Sequence, residues 1–202
     1  MFLIIQNGYI VPCLPKYLDE TYIIIKSYEL DVSNIDLDGY TIVIILGGHQ
    51  SLTTINKYPY LNGVINLIKK CIQLKKPIFA ICLGAQLVAY TLGCQIKSSD
   101  KVNVGYNINI LDQSNIFRYH IDYIVPNDKI VVKTAVDNMP YLYLYQDYIV
   151  GIQCHPDLTP ECVIKYSNHD SSIKYALSNK ETIDKANYMV INKIINFLIK
   201  RN

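Results

Sequence analysis

A cysteine, a histidine and a carboxylate, each set at the end of a β-like run, are the residues of this chain best suited to do chemistry together. In Ala80-Ile81-Cys82-Leu83-Gly84-Ala85-Gln86 a cysteine stands where an apolar strand stops and a helix starts. That is the strand–turn–helix pattern of a nucleophile elbow, whose tight turn excludes bulky side chains two residues before and two after the nucleophile. Ala80 and Gly84 meet that requirement. A thiol at a helix N-terminus also sees the positive end of the helix dipole, which favours the thiolate. Taken alone, Cys82 reads equally as a buried core cysteine.

The partner for such a thiol lies in Gly151-Ile152-Gln153-Cys154-His155-Pro156-Asp157. His155, at a strand end, is suited to act as a base toward a thiol. Pro156 restricts the backbone, and Asp157 follows in position to orient the imidazole through its other nitrogen. The same tripeptide also reads as a polar strand end followed by a turn former. A third feature is Gly47-Gly48, directly after an apolar strand. Glycines let backbone N–H groups approach a ligand closely. With the Leu83 N–H they would form an oxyanion hole.

The elements that must position these residues alternate. Phe2 to Gln6, Tyr22 to Lys26 and Thr41 to Leu46 read as strands, and Ile42-Val43-Ile44-Ile45-Leu46 is apolar on both faces, as in the centre of a parallel sheet. Tyr60 to Lys75 has helical apolar spacing and closes on Lys75-Lys76-Pro77. Pro77 to Cys82 is a second buried strand, followed by a helix over Gly84 to Leu92 with Gly93 at its C′ position. Further strands are expected over Val104 to Leu111, Ile130 to Val136, Tyr141 to Gln146 and Ile149 to Cys154, with a hairpin turn at Gln146-Asp147-Tyr148. Thr159-Pro160-Glu161 begins a helix, and Thr182 to Lys200 is the last one. The order predicts a doubly wound α/β domain, with a mostly parallel central sheet flanked by helices and an antiparallel extension.

Composition narrows the function. The chain has 202 residues, half of them hydrophobic, and a net charge of +2 with no long run of either sign. That suits one domain with a full core over residues 1–202 and carries no footprint for nucleic acid. No apolar run is long enough to span a membrane, and the N-terminus lacks a basic leader, so a cytoplasmic location is expected. The six cysteines include no C-x-x-C pair and are expected to stay reduced, without a metal site. His169 reads as a solvated loop residue, and Lys69-Lys70 with Lys75-Lys76 as a wet helix face.

Leu46-Gly47-Gly48, Tyr58-Pro59-Tyr60-Leu61, Ile81-Cys82-Leu83-Gly84-Ala85-Gln86-Leu87, Gly105-Tyr106, His120-Ile121-Asp122 and the segment from Gly151 to Asp157 together resemble a class I, triad-type glutamine amidotransferase domain of the GMP-synthase-like branch. The resemblance spans residues 40–165. It implies a flavodoxin-like fold and a Cys-His-acid triad that hydrolyses the side-chain amide of glutamine. That chemistry needs no cofactor, and its ammonia goes to a separate synthetase subunit or the protein is a stand-alone hydrolase. By position, Cys82 is the implied nucleophile, His155 the base and Asp157 the acid. Gly48 and Leu83 offer oxyanion N–H groups. Gly47, Gln86, Tyr119, His120 and Asp122 fall where the family contacts its substrate.

The chain departs from that pattern. Asp157 replaces Glu, and its shorter arm reduces its reach toward His155 by about an ångström. Ala80 replaces Gly inside the elbow, His49 stands where Pro is common, and Ile121 replaces a Gly. A β-branched residue is unsuited to positive φ, and the bulk of Ile121 would narrow the glutamine site. Two other functions fit the same residues: hydrolysis of other γ-glutamyl amides or peptides, and a non-catalytic role for the fold.

Overall fold

A computed structural model describes residues 1–10 and 13–200. In chain order the elements are β1 (Phe2–Gln6), β2 (Tyr22–Lys26), β3 (Ile42–Ile45), α1 (Leu61–Gln73), β4 (Ile78–Ile81), α2 (Leu83–Thr91), β5 (Gln95–Ile110) and β6 (Gln113–Val125). They continue with β7 (Val131–Val136), β8 (Met139–Tyr145), β9 (Ile149–Ile152), α3 (Pro160–Tyr166), α4 (Asp170–Ser178) and α5 (Lys180–Ile199). Short 3-10 turns lie at Leu14–Tyr17 and Leu52–Lys57.

β1, β3, β4 and β9 are apolar on both faces because helices cover both. Leu3, Ile5, Val43, Ile45 and Ala80 pack with α1 and α2 on one side. Their sequence neighbours Ile4, Ile42, Ile44, Phe79 and Ile81 face Val190, Ile191 and Ile194 of α5 on the other. The seven-stranded sheet has the order β2-β1-β3-β4-β9-β8-β7. β2, β1, β3, β4 and β9 pair in parallel, and β8 and β7 continue the sheet antiparallel. This is the doubly wound sheet with an antiparallel extension that the sequence predicts. The crossover order reverses between β1 and β3, where open α/β sheets place ligands beyond the carboxyl ends of their strands.

A second antiparallel sheet, β5 with β6, stands apart as a long hairpin. Only the second half of β5 is expected from the sequence, and β6 is not. β5 is exposed or half-buried along most of its length and offers little hydrophobic alternation to read. α4 is likewise not expected from the sequence, which makes His169 a solvated loop residue. His169 is its N-cap residue, half-buried, with its ring Nδ1 bonded to Ser172 Oγ at 2.8 Å. Gly93 takes φ +90° just past the end of α2, as its C′ placement requires.

The cysteines need a correction. Cys13 and Cys162 are joined by a disulfide across 149 residues of sequence, while Cys71, Cys82, Cys94 and Cys154 are free and buried. The fold brings the segment after β1 against α3, a proximity that sequence spacing does not reveal. Thiol titration of the denatured, unreduced protein should therefore count four groups, rising to six after reduction. A count of six without reductant refutes the pairing. Among the described residues no helix is long and apolar enough to cross a membrane.

Candidate active site

The site is built where β4 and β9 end side by side. Ile81 pairs with Ile152, and the Cys82 N–H donates to the Ile152 carbonyl at 2.8 Å. Parallel pairing thus places Cys82, one residue beyond β4, beside the segment that leads three residues beyond β9 to His155. Cys82 has φ 51° and ψ −110°, a conformation that costs a side-chain-bearing residue about 1–3 kcal/mol and is typical of functional turns. The chain can turn this sharply because Gly84 has no side chain: a Cβ there would run into the Ile45 carbonyl. The extra methyl of Ala80 is accommodated, since it is fully buried in the α1–α2 face of the core.

His155 is held on two sides. Its N–H donates to the Phe117 carbonyl of β6 at 2.7 Å, and its Nδ1 bonds Asp157 Oδ1 at 3.1 Å. Both side chains are buried. The shorter acid therefore reaches the imidazole. Gly47 fills the space between base and thiol: a Cβ on it would lie 3.1 Å from His155 Cε1 and 3.2 Å from Cys82 Cβ. Burial works against a charged imidazole. The negative charge available at Cys82, the Asp157 carboxylate and hydrogen bonds to both outweigh it, holding His155 well above the usual histidine range. Burial pushes Cys71 up to about 12 and raises Cys154 and Cys94.

Polar groups flank the Cys82 sulfur. Gln153 Nε2 lies 3.7 Å from Cys82 Sγ, and the Tyr119 carbonyl is 4.0 Å from the same sulfur. Gln86 Nε2 donates to Gln153 Oε1 at 3.2 Å and to the Asp122 carbonyl at 2.9 Å. The two Asp122 carboxylate oxygens accept from Ser51 and Ser98, each at 2.5 Å. Sequence reasoning missed Gln153 and Ser51. Strand alternation offers the signal for Gln153, which falls two residues before His155. No local signal marks Ser51.

Leu83 opens α2, so its N–H is among those without an intrahelical partner. Its Cδ2 would lie 3.0 Å from a Cβ on Gly48, which sets the two proposed oxyanion residues side by side. Ile121 does not need positive φ. It sits in β6 with its side chain half exposed, clear of the crowding expected from sequence. His49 stacks on Tyr9 with ring centroids 5.5 Å apart.

His120 is committed within the protein. Its Nδ1 donates to the Asp122 carbonyl at 3.0 Å, which leaves Nε2 to accept from the Tyr141 hydroxyl at 2.9 Å. Arg118 Nη1 in turn donates to the Tyr141 oxygen at 3.0 Å. This arrangement needs a neutral ring, and burial pushes His120 down to about 4. The unfolded chain binds a proton at this residue near pH 6.5 and the folded one does not. Its stabilising contribution is thus full above pH 6.5 and is lost as pH falls toward 4, at a total of about 3 kcal/mol. Denaturant midpoints should fall over that window, and His120→Gln should flatten the slope. An unchanged slope removes His120 as its source.

A cavity of about 350 Å³ opens onto Cys82, His155 and the Gly47-Gly48 turn, at the carboxyl ends of β1, β3, β4 and β9. Among the described residues no three His, Cys, Asp or Glu side chains cluster to hold a metal ion.

Residues 12–163 match the glutamine amidotransferase class-I family. A glutamine amidotransferase-like protein of Acanthamoeba polyphaga mimivirus is 60% identical over 198 residues, 98% of this chain and 97% of that protein. The glutamine-hydrolyzing GMP synthase of Lachnospira eligens is 26% identical over 151 residues, which cover 68% of this chain but only 28% of the synthase. A glutamine amidotransferase crystal structure from Thermotoga maritima superposes with a TM-score of 0.78 at 16% identity, covering 96% of this chain and 97% of that one, a likeness of fold. The strained cysteine elbow, the doubly wound sheet that carries it and these matches agree: the chain belongs to the class-I glutamine amidotransferase family.

Proposed function

We propose that the protein hydrolyses the side-chain amide of glutamine through Cys82, His155 and Asp157. The observation that carries this reading is the convergence of the strained Cys82 and the buried His155–Asp157 pair on one glycine turn. The Cys82 thiolate attacks the carboxamide carbon. The tetrahedral oxyanion is held by the Gly48 and Leu83 N–H groups, each such donor being typically worth about 3 kcal/mol in the transition state. His155, charged and kept so by its neighbours, gives its proton to the departing nitrogen. Water then cleaves the γ-glutamyl thioester with His155 as base, releasing glutamate. Tyr119, which lines the cavity with its carbonyl near the sulfur, is placed to contact the substrate, whereas the Gln86 amide nitrogen and both Asp122 carboxylate oxygens are spent on hydrogen bonds within the protein. Ammonia released from glutamine would pass to a synthetase; the matched region is 28% of the longer glutamine-hydrolyzing GMP synthase of Lachnospira eligens.

A chloroketone analogue of glutamine tests the nucleophile directly. Mass spectrometry should find it on Cys82 and not on Cys71, Cys94 or Cys154. Labelling of Cys82 no faster than that of free cysteine argues against the proposed hydrolysis.

A further inference from the structure

The turn Gly47-Gly48 carries one of the N–H groups that the proposed hydrolysis aims at the oxyanion, yet glycine is the least restrained of all residues. Something outside the turn must hold it, because misplacing a catalytic group by about an ångström costs on the order of 10²-fold in rate.

Both ends of the turn are tied to one residue. Asn7 follows β1, is fully buried and does not line the cavity. Its Nδ2 donates to the Leu46 carbonyl at 2.8 Å, immediately before the glycines. Its own carbonyl accepts from Gln50 Nε2 at 3.0 Å, just after them. Asn7 is itself fixed. Ser27 Oγ donates to its Oδ1 at 2.9 Å, and the Tyr60 hydroxyl donates to its carbonyl at 3.0 Å.

Gln50 is buried, and its Oε1 has no hydrogen-bond partner among the described residues. An unpaired buried acceptor is destabilising, and an apolar side chain would fill the same space without that penalty. What the amide adds is the Nε2 bond to Asn7. Its Oε1 is left against Gly48, in the space that a Cβ on that glycine would take, so the turn is backed from behind.

The clamp also sets a direction. The Gly47 carbonyl lies on the Gly8 side of the turn. In a trans peptide C=O and N–H point opposite ways, so the Gly48 N–H points away from β1. β3 lies between β1 and β4, and that direction leads toward β4 and Cys82.

We propose that Asn7 is a positioning residue for the reaction, clamping both ends of the glycine turn so that the Gly48 N–H faces the oxyanion. The inference rests on the hydrolysis proposed above.

The test uses the intact protein and two variants. Asn7→Leu removes the bond at the entry of the turn, and Gln50→Met the bond at its exit. Three quantities are read: kcat and KM for glutamate release from L-glutamine, and the rate at which iodoacetamide alkylates Cys82, followed by mass spectrometry. Alkylation passes through no tetrahedral oxyanion, so it reports the thiolate and not the turn. Asn7→Leu should lower kcat by about 10²-fold and Gln50→Met by about tenfold, as expected of a misplaced oxyanion donor. KM should stay within about threefold of the parent and the alkylation rate within about twofold. If Asn7→Leu does not fold, Gln50→Met decides alone. An unchanged kcat in either folded variant overturns this proposal and leaves the hydrolysis standing. So does a fall in alkylation, or a rise in KM, that matches the fall in kcat. A parent protein that releases no glutamate overturns both readings.

Discussion

Cys82→Ala is expected to lower glutamate release from glutamine by roughly 10⁴-fold or more, because residues that act as one catalytic unit lose nearly everything when the nucleophile goes. The small residual rate would come from the oxyanion donors and from binding. The loss should not reflect unfolding. Cys82 contributes one small side chain at the start of α2, and the elbow is imposed by its neighbours: the Cys82 N–H on the Ile152 carbonyl and the packing of Gly84 against Ile45. Alanine accepts the same backbone conformation at a similar cost, so thermal unfolding should stay close to that of the parent. A coupled glutamate assay with the thermal transition measured alongside decides the matter. Equal rates for parent and variant remove Cys82 from the mechanism.

Asp157→Asn comes next in size. The carboxylate bonds His155 Nδ1 from a buried position, fixing the tautomer and supporting the imidazolium charge. Loss of the equivalent acid in a related triad costs about 10⁴-fold, and a fall of about 10²–10⁴-fold is expected here. The pH profile carries the sharper signature. His155 is raised well above the ordinary histidine range, with Asp157 among the causes. An imidazolium with a raised pKa persists to higher pH and is lost as pH climbs through that value. Removing the Asp157 charge lowers it, so the alkaline limb of kcat/KM should move to lower pH. Asp157→Glu keeps the charge and should retain an alkaline limb near that of the parent. A variant whose rate falls with no movement of the limb assigns Asp157 to packing alone.

Much of the site was legible before any coordinates. The elbow shows itself through Ala80, Cys82 and Gly84, because a tight turn permits only small neighbours, and that restriction is local. The base and its acid show themselves as His155-Pro156-Asp157 at a strand end for the same reason. The structure removes the difficulty raised by Ile121, which occupies extended backbone and points its side chain partly to solvent. It also moves His120 away from any free role, since both ring nitrogens are spent on Asp122 and Tyr141. Neither result follows from residue type. Each depends on where β6 lies relative to β8, and β6 carries too little hydrophobic alternation to be read as a strand.

The amino-acid sequence by itself determined the alternation of buried strands and amphipathic helices, the chain positions of thiol, imidazole and carboxylate, and the glycines beside them. These are consequences of near-neighbour sterics and of hydrophobic periods of two and 3.6 residues, which act over a few positions. Tertiary structure alone decided that β4 and β9, 67 residues apart between Ile81 and Ile149, lie next to each other and so deliver Cys82 to His155. It also decided that Cys13 meets Cys162, that Gln153 and Ser51 join the polar flank, and that a cavity opens beside the base and the thiol. Such pairings arise when long loops close to bury both faces of one sheet, and the energy that selects them is spread over the whole core rather than written at any one residue.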